Sequence, residues 1–490
     1  MDTNQMRQIL AEQQEELDIL AKSEMLDRSV VGEVNINSNL AQIITGIRRC
    51  GKSTLAWMAL KGQKFAYVNF DDERLIDFNT NDLNQLLETL YIVYGEFDHL
   101  LLDEIQNIEY WHLFVNRLLR KRIKIVLTGS NSNLLSQEMA SHLTGRYSIT
   151  ELFPYSFSEF LLAGNSKLEN LETARARGLA LNKLMEYMRL GGFPEVVYGE
   201  NKKQYVSNLF DAIVSRDIIY RYNIRHPRTF REIAYWLTGN FAAEMSYNRI
   251  KNIFGLGSEN TAKNYISYLE EAWLFVSLSK FSYKKHESLR NRKMYLIDLS
   301  FAQLAGEGSG RNEGRLLENL VFLQLLRNRT SNGYEIYYYK ANVEVDFVIY
   351  KLGYVKELIQ VSLSLEDEKT KKREIRALLT ASKNLKAKKL TIITLNSQEV
   401  MEMSVDDNVF KDVCDLLHNN RINFWICHGT LLGIIRENRL LPWDHDIDFA
   451  VWDHETDKSH IVDIMLSHGY QQEVITGEMD CLHFFLFSIP

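Results

Sequence analysis

Between residues 40 and 160 the chain alternates two patterns of apolar positions. Short unbroken apolar runs cover 42–45, 65–70, 99–102 and 123–128. They lack the polar alternates of a half-exposed strand, so each predicts a strand buried on both faces. Helical spacing fills the segments between them. The alternation predicts a parallel sheet with helices on both sides. Ahead of this block, residues 4–22 place Met6, Leu10, Leu17 and Leu20 along an otherwise polar helix, read as a leader packed on the next domain.

Residues 166–300 read as mostly helical. Within them, 246–271 gives a helix, a glycine turn and a second helix, with Ser258 as its cap and Glu259 opening it. That pair predicts a helix-turn-helix or winged-helix unit. Strand patterns return over 334–362, helix-rich sequence runs to about 385, and LTIITL predicts one more strand. A further module begins near residue 405.

Composition narrows the classes. The 490 residues suit roughly three or four domains. Hydrophobic residues at 46% and charged residues at 25% fit an ordinary soluble globular chain. A formal net charge of −7 excludes coating nucleic acid by bulk charge, so any such contact needs a local basic patch. Cys50, Cys414, Cys427 and Cys481 form no CxxC pair, which speaks against a zinc site and for a reducing compartment. The N-terminus has no apolar core of secretory length and the chain no spanning apolar stretch. The expectation is a cytoplasmic protein with no membrane partner.

The strongest motif is GIRRCGKST at 46–54, which fits G-x-x-x-x-G-K-[ST]. Gly46 and Gly51 permit a tight loop of inward-facing amides through Ile47, Arg48, Arg49 and Cys50, and the following helix adds its positive end. Lys52 would reach the β- and γ-phosphates of ATP, Ser53 would coordinate Mg2+, and Thr54 closes the loop. Arg48 and Arg49 could meet phosphate or a carboxylate from the sheet. A second motif, FDHLLLDEIQN, ends a buried strand in two acids. Asp103 suits the metal's water shell and Glu104 the polarisation of an attacking water. A third strand ends at Ser130 and Asn131, candidates to sense the γ-phosphate. Arg146 is a candidate for stabilising transition-state charge, in its own chain or a neighbour's.

At this point a resemblance becomes visible. YVNFDDERL, LTGSNS, LTGRY, ELFPYSFSEFL, GGFPEVV, TAKNYISYLEEAWL, KMYLIDLS, RLLENLVFLQL and VEVDFVIY occur, with the two motifs above, in the order of a family of bacterial and archaeal AAA-type ATPases with a C-terminal nuclease-like region. The resemblance implies an α/β multidomain chain: an N-terminal helix (1–29), a P-loop AAA-like parallel sheet core (30–165), a helical lid (166–230), a winged-helix-like middle (231–300) and a restriction-endonuclease-like α/β domain (301–400). In that last domain Glu318, Asp346 and Gln360 stand at the metal-binding positions. Ser362 stands where such nucleases carry lysine, so a structural or binding role is expected there rather than cleavage. Residues 401–490 resemble the opening of LicD/fukutin-like nucleotidyltransferases, read as a truncated α/β segment. Its Gly429 and Thr430 would let the backbone approach a nucleotide, and Asp446 and Asp448 alternate along a strand so that both could share Mg2+.

Lys284, Lys285, Arg290, Arg292 and Lys293 face one acid, Glu287, and read either as a wing touching DNA phosphates or as a solvated hairpin. Three readings stand side by side: an ATPase whose nucleotide state switches the later regions, an ATP-gated module that docks DNA or a protein with little turnover, and a nucleotidyl- or phosphocholine-type transferase. ATP and Mg2+ are the expected cofactors, and a homo-oligomer is a further candidate assembly.

Overall fold

The computed structural model describes residues 2–22, 25–131, 143, 145–166, 173–283, 291–305, 311–387, 389–395, 407–426, 449–451, 458–468, 470–473 and 483–486. They divide into two compact units, Met1–Ser397 and Gln398–Pro490.

The first unit opens with α1 (Thr3–Lys22), then β1 (Ala41–Thr45), α2 (Lys52–Leu60), β2 (Phe65–Asn69), α3 (Leu83–Tyr94), β3 (His99–Asp103), α4 (Trp111–Arg120), β4 (Lys124–Gly129) and β5 (Tyr147–Glu151). The five strands form one parallel sheet in the order β2-β3-β4-β1-β5. Each apolar run feeds both faces alternately. Ile44, Leu101 and Val126 enter one core, while Ile43, Leu100, Leu102 and Leu127 enter the other. That double burial is why these strands lack polar alternates. Because β1 returns beside β4, the loop after β1 lies next to the tips of β4 and β3, where ligands of open α/β sheets bind.

The chain continues through α5 (Phe157–Ala163), α6 (Ala174–Leu190), the short α7 (Pro194–Tyr198), α8 (Lys202–Ala212), an eight-residue π-helix (Ile213–Tyr220) and α9 (Pro227–Gly239). Next come β6 (Ala243–Met245), α10 (Tyr247–Phe254), α11 (Glu259–Glu271), β7 (Phe275–Ser279) and β8 (Arg292–Leu296). The three strands form an antiparallel sheet ordered β6-β8-β7. Ser258 does cap α11, accepting from the amide of Thr261. The segment read as mostly helical therefore carries three strands as well, too short to show a periodicity of their own.

After α12 (Arg311–Asn332), β9 (Glu335–Lys340), β10 (Glu344–Lys351), β11 (Tyr354–Val361), α13 (Glu368–Leu385) and β12 (Lys389–Ile393) build a four-stranded sheet ordered β12-β11-β10-β9. One continuous core links Ile44 and Val126 of the first sheet to Phe210, Phe230, Tyr265, Tyr295 and Phe347. The first unit is thus welded by apolar contact rather than strung on linkers.

The second unit contains α14 (Asp407–Asn419), an antiparallel pair of β13 (Phe424–Ile426) and β14 (Phe449–Val451), α15 (Lys458–Ser467), and a pair of β15 (Tyr470–Glu473) and β16 (His483–Leu486). Val413, Leu416, Leu417, Ile422, Ile461, Ile464 and Met465 form its own small core.

Candidate functional site

Gly46 leaves β1 at φ +157°, and a Cβ there would lie 2.0 Å from the Leu152 carbonyl oxygen. That crossing is pinned by the Leu152 amide, which donates to the Thr45 carbonyl at 2.7 Å. Arg49 (φ 66°) and Gly51 (φ 96°) then turn through the left-handed region. Gly51 caps α2 without a side chain. The first amides of α2 therefore meet no side-chain cap, an arrangement suited to an anion.

Beside the loop, β3 delivers Asp103 and Glu104. Thr128 of β4 donates its hydroxyl to Asp103 Oδ1, and the Tyr67 hydroxyl donates to Oδ2 at 3.3 Å. Burial and then Glu104 push the Asp103 carboxyl up, while bonds from the Thr128 and Ser53 hydroxyls pull it down. The Ser53 hydroxyl and this carboxylate thus lie together, as a magnesium site built on a phosphate loop requires. Among the described residues no three His, Cys, Asp or Glu side chains converge as a metal site of their own.

Glu104 adopts φ 51°, a strained left-handed geometry for a non-glycine residue. Its amide donates to Thr128 Oγ1 at 3.0 Å, and its Oε2 accepts from the Ser130 hydroxyl at 3.0 Å and amide at 3.3 Å. Oε1 stands 3.4 Å from Lys52 Nζ, which also donates to the Ile47 carbonyl at 3.3 Å. Burial alone would raise the Glu104 carboxyl. Lys52, then Gln106, Ser130 and Arg48, outweigh it and hold it below the usual carboxylate range. For Lys52 burial works downward and Glu104 wins, so the ammonium persists. Both charges are retained in a buried place because each is the other's partner.

These groups line a cleft of about 480 Å³, large enough for a nucleotide. Leu20 of the N-terminal helix also lines it, together with residues that the sequence assigned no role: Leu26, Tyr155, Pro194 and Tyr198. The available signal was the pair of segments ELFPYSFSEFL and GGFPEVV, whose prolines and aromatics have no place in a strand-helix alternation. Arg28 ties this lining to the loop, donating to the Cys50 and Phe153 carbonyls at 3.0 and 2.7 Å and to Glu159 at 2.9 Å.

Of the other loop residues, Ile47 and Cys50 are fully buried in the core, so they offer the cleft backbone only. Thr54 lines the cleft. Arg48 meets carboxylates: Asp71 at 2.7 Å and Asp217 of the π-helix at 3.3 Å. Arg49, largely exposed, lies 3.8 Å from Glu195. Ser130 braces Glu104 rather than lining the cleft. Asn131 donates to the Tyr222 hydroxyl at 3.4 Å, and that hydroxyl donates to Glu271 of α11.

Arg146 lies away from this cleft, which bears on its same-chain alternative only. Its carbonyl accepts from Ala41 at the start of β1, the sheet end opposite the loop. Four residues of strand put it roughly 13 Å from the loop end. It is exposed there and is not among the residues that line its own chain's cleft.

A second polar cluster lies far along the unit. Glu318 of α12 and Asp346 of β10 do converge, with Gln360 of β11 accepting from the Asp346 amide at 3.3 Å. The centre is filled by Lys293, whose Nζ lies 3.0 Å from Glu318, 3.0 Å from Glu344 and 3.1 Å from Asp346. Lys293 is 3% exposed, so its reading as part of a solvated or DNA-facing wing is overturned. Three acids from the facing elements draw it inward. Arg292 donates to the Ser277 hydroxyl at 2.9 Å. Lys284, Lys285 and Arg290 lie outside the described residues, as do Gly429, Thr430, Asp446 and Asp448.

Known proteins match this chain in four stretches. The AAA domain family matches residues 38–161, two domains of unknown function (DUF8612 and DUF4143) match 181–309 and 313–410, and the LicD/FKTN/FKRP nucleotidyltransferase domain matches 421–478. Uncharacterized protein MJ1544 of Methanocaldococcus jannaschii is 35% identical over 410 residues, covering 80% of this chain and 90% of its own. An uncharacterized protein of Haemophilus influenzae is 30% identical over 349 residues, covering 67% of this chain and 84% of its own. Among solved structures, a Signal Transduction ATPase with Numerous Domains from Pyrococcus horikoshii aligns at 16% identity over 62% of this chain and 45% of its own. Its TM-score of 0.24 is too low to carry an argument. No described helix is long and apolar enough to cross a membrane.

Proposed function

Since the chain is an AAA-type P-loop ATPase by its AAA domain and belongs to one family with MJ1544 and the Haemophilus protein, we propose that it binds ATP with Mg2+ in the loop cleft and hydrolyses it. The observation that carries this reading is the Lys52–Glu104 pair at 3.4 Å, braced by Ser130 and set beside Asp103. The loop amides and Lys52 hold the β- and γ-phosphates. Ser53 and Asp103 hold magnesium, which draws charge off the leaving phosphates when bound. Once phosphate takes the ammonium, Glu104 is left deprotonated beside the γ-phosphate position, oriented by Ser130 to accept hydrogen bonds from the attacking water. Phosphate release by the wild type and by Glu104→Gln, with ATP binding measured separately, tests it. The variant is expected to bind ATP and to lose about a hundredfold or more in turnover. Tight ATP binding by a wild type that releases no phosphate would sink hydrolysis and leave a binding module.

The nucleotide state is read out, in this proposal, by the helical region. Two polar links support that: Arg48 to Asp217, and Asn131 through Tyr222 to Glu271. The order α9-β6-α10-α11-β7-β8 supports a winged-helix-like middle. Lys293, seated among three carboxylates, supports reading residues 301–400 as a scaffold rather than a cleavage centre. The LicD match favours a second, separate activity, transfer from a nucleotide-activated donor. Loss of labelled transfer in Asp446→Ala with Asp448→Ala would bear that out, and wild-type protein inert toward such donors would dismiss it.

A further inference from the structure

The π-helix and the turn after it carry an unusual concentration of charge for an acidic chain. Arg216, Arg221, Arg225, Arg228 and Arg231 fall within residues 216–231, with Asp217 as the one acid among them. Ile213, Val214, Ile218, Ile224 and Phe230 are buried beneath, which fixes the backbone and leaves Arg216, Arg225, Arg228 and Arg231 exposed and Arg221 half-buried. Arg231 of α9 donates to the Ser215 hydroxyl at 3.1 Å, so α9 and the π-helix share one surface. Asp217 pairs inward with Arg48 and also feels Arg221 and Arg216, so it offsets part of that charge and leaves Arg225, Arg228 and Arg231 outside its reach. The Arg228–Glu232 pair has an arginine side chain 93% exposed, and such pairs contribute little. Tyr220 stands 83% exposed in the middle of the patch.

We propose that this surface docks a single-stranded nucleic acid, the arginines on phosphates and Tyr220 stacked on a base, and that Asp71 couples it to the ATP cleft. Guanidinium forks match phosphate geometry, and an exposed aromatic among them offers a stacking platform that duplex DNA does not use. An acidic protein surface would satisfy the arginines but leave Tyr220 without a purpose. The coupling is geometric. Asp71 accepts from Arg216 at 2.6 Å with one oxygen and from Arg48 of the phosphate loop at 2.7 Å with the other. A phosphate that draws Arg216 away leaves Asp71 to Arg48 alone, which alters the loop that holds ATP. The docking half stands without hydrolysis; the coupling half rests on the ATP-binding reading.

The test uses the full chain, free of nucleotide, with a fluorescein-labelled oligothymidylate followed by anisotropy. About five contacts predict a slope of log K against log salt near −3.5, about a hundredfold loss between about 50 and about 200 mM salt. Arg225→Ala with Arg228→Ala should shrink the slope toward −2 while leaving basal phosphate release unchanged. Tyr220→Ala should weaken binding about tenfold. Asp71→Asn should still bind the oligonucleotide but lose its effect on ATP affinity. Absence of binding at low salt, or binding that these exposed-site variants leave untouched, overturns the proposal. Equal binding of polyglutamate replaces the nucleic acid with an acidic protein. Because the binding assay contains no ATP, its failure is distinct from a failure of hydrolysis.

Discussion

Gly46 and Lys293 show how a single side chain, absent or present, sets its surroundings. At Gly46 a methyl group would sit 2.0 Å from the Leu152 oxygen, and backbone rather than a flexible side chain would have to yield. Gly46→Ala should cost about 1–3 kcal/mol of stability and weaken ATP binding by about tenfold or more. Calorimetric titration and a denaturant melt measure both, and wild-type affinity in the variant would show that the loop does not depend on this crossing. At Lys293 the reasoning is electrostatic. Removing the ammonium leaves Glu318, Glu344 and Asp346 facing one another, so Lys293→Met should lose about 3–5 kcal/mol in urea unfolding near neutral pH. The same cluster gives a pH dependence. Burial, then Asp346, lift Glu318 to about 7 against the pull of Lys293. A folded value above the unfolded one means that Glu318 stabilises the fold at low pH and that this contribution fades as pH rises through about 7. Stability should therefore decline across that window in the wild type, and Glu318→Gln should flatten the decline. A wild-type curve as flat as the variant's would contradict it.

At the level of elements, the legible parts were those whose own residues carry the pattern. β1 to β4 announce themselves because double burial demands unbroken apolar runs. β5, reading YSITE at the sheet edge, has no such demand, and β6 is only three residues long. The π-helix leaves no composition signal, because its register is imposed by packing. Lys293 was misread for a related reason: its sequence neighbours are basic, and the acids that bury it come from α12 and β10. The relay from Asn131 to Glu271 was invisible for the same cause, since Tyr222 lies 91 residues from one partner and 49 from the other. Its ring stacks on Tyr268 at 4.0 Å and 13°, so Tyr222→Phe keeps the packing and deletes only the hydroxyl. The fold should lose about 1 kcal/mol or less beyond the lost bond. The change in hydrogen-exchange protection that ATP brings to α11 should shrink markedly. An unchanged response of α11 would remove the relay from the account of how nucleotide state is read.

For the whole molecule, the motif order along the chain disclosed the P-loop unit and the LicD-like segment before any coordinates. What it could not disclose is where independence lies. One apolar core runs from Ile44 to Phe347, so the regions read as lid, winged helix and nuclease-like domain cannot be separated from the ATP cleft without opening it. The break instead falls at Ser397, beyond which Val413, Leu416, Ile461 and Ile464 pack among themselves. Every residue assigned to the cleft, to Lys293's cage and to the arginine surface lies on the near side of that break. A chain ending at Ser397 should therefore unfold cooperatively, bind ATP within about twofold of the full chain and keep its phosphate release, since every cleft residue belongs to the first unit. Truncation inside the first unit, after Ser300, should instead expose Tyr295 and Phe210, now fully buried against Phe322 and Phe301, and yield aggregated protein. Loss of ATP binding on truncation at Ser397 would mean that the LicD-like segment takes part in the cleft, and the division of labour argued here would have to be abandoned.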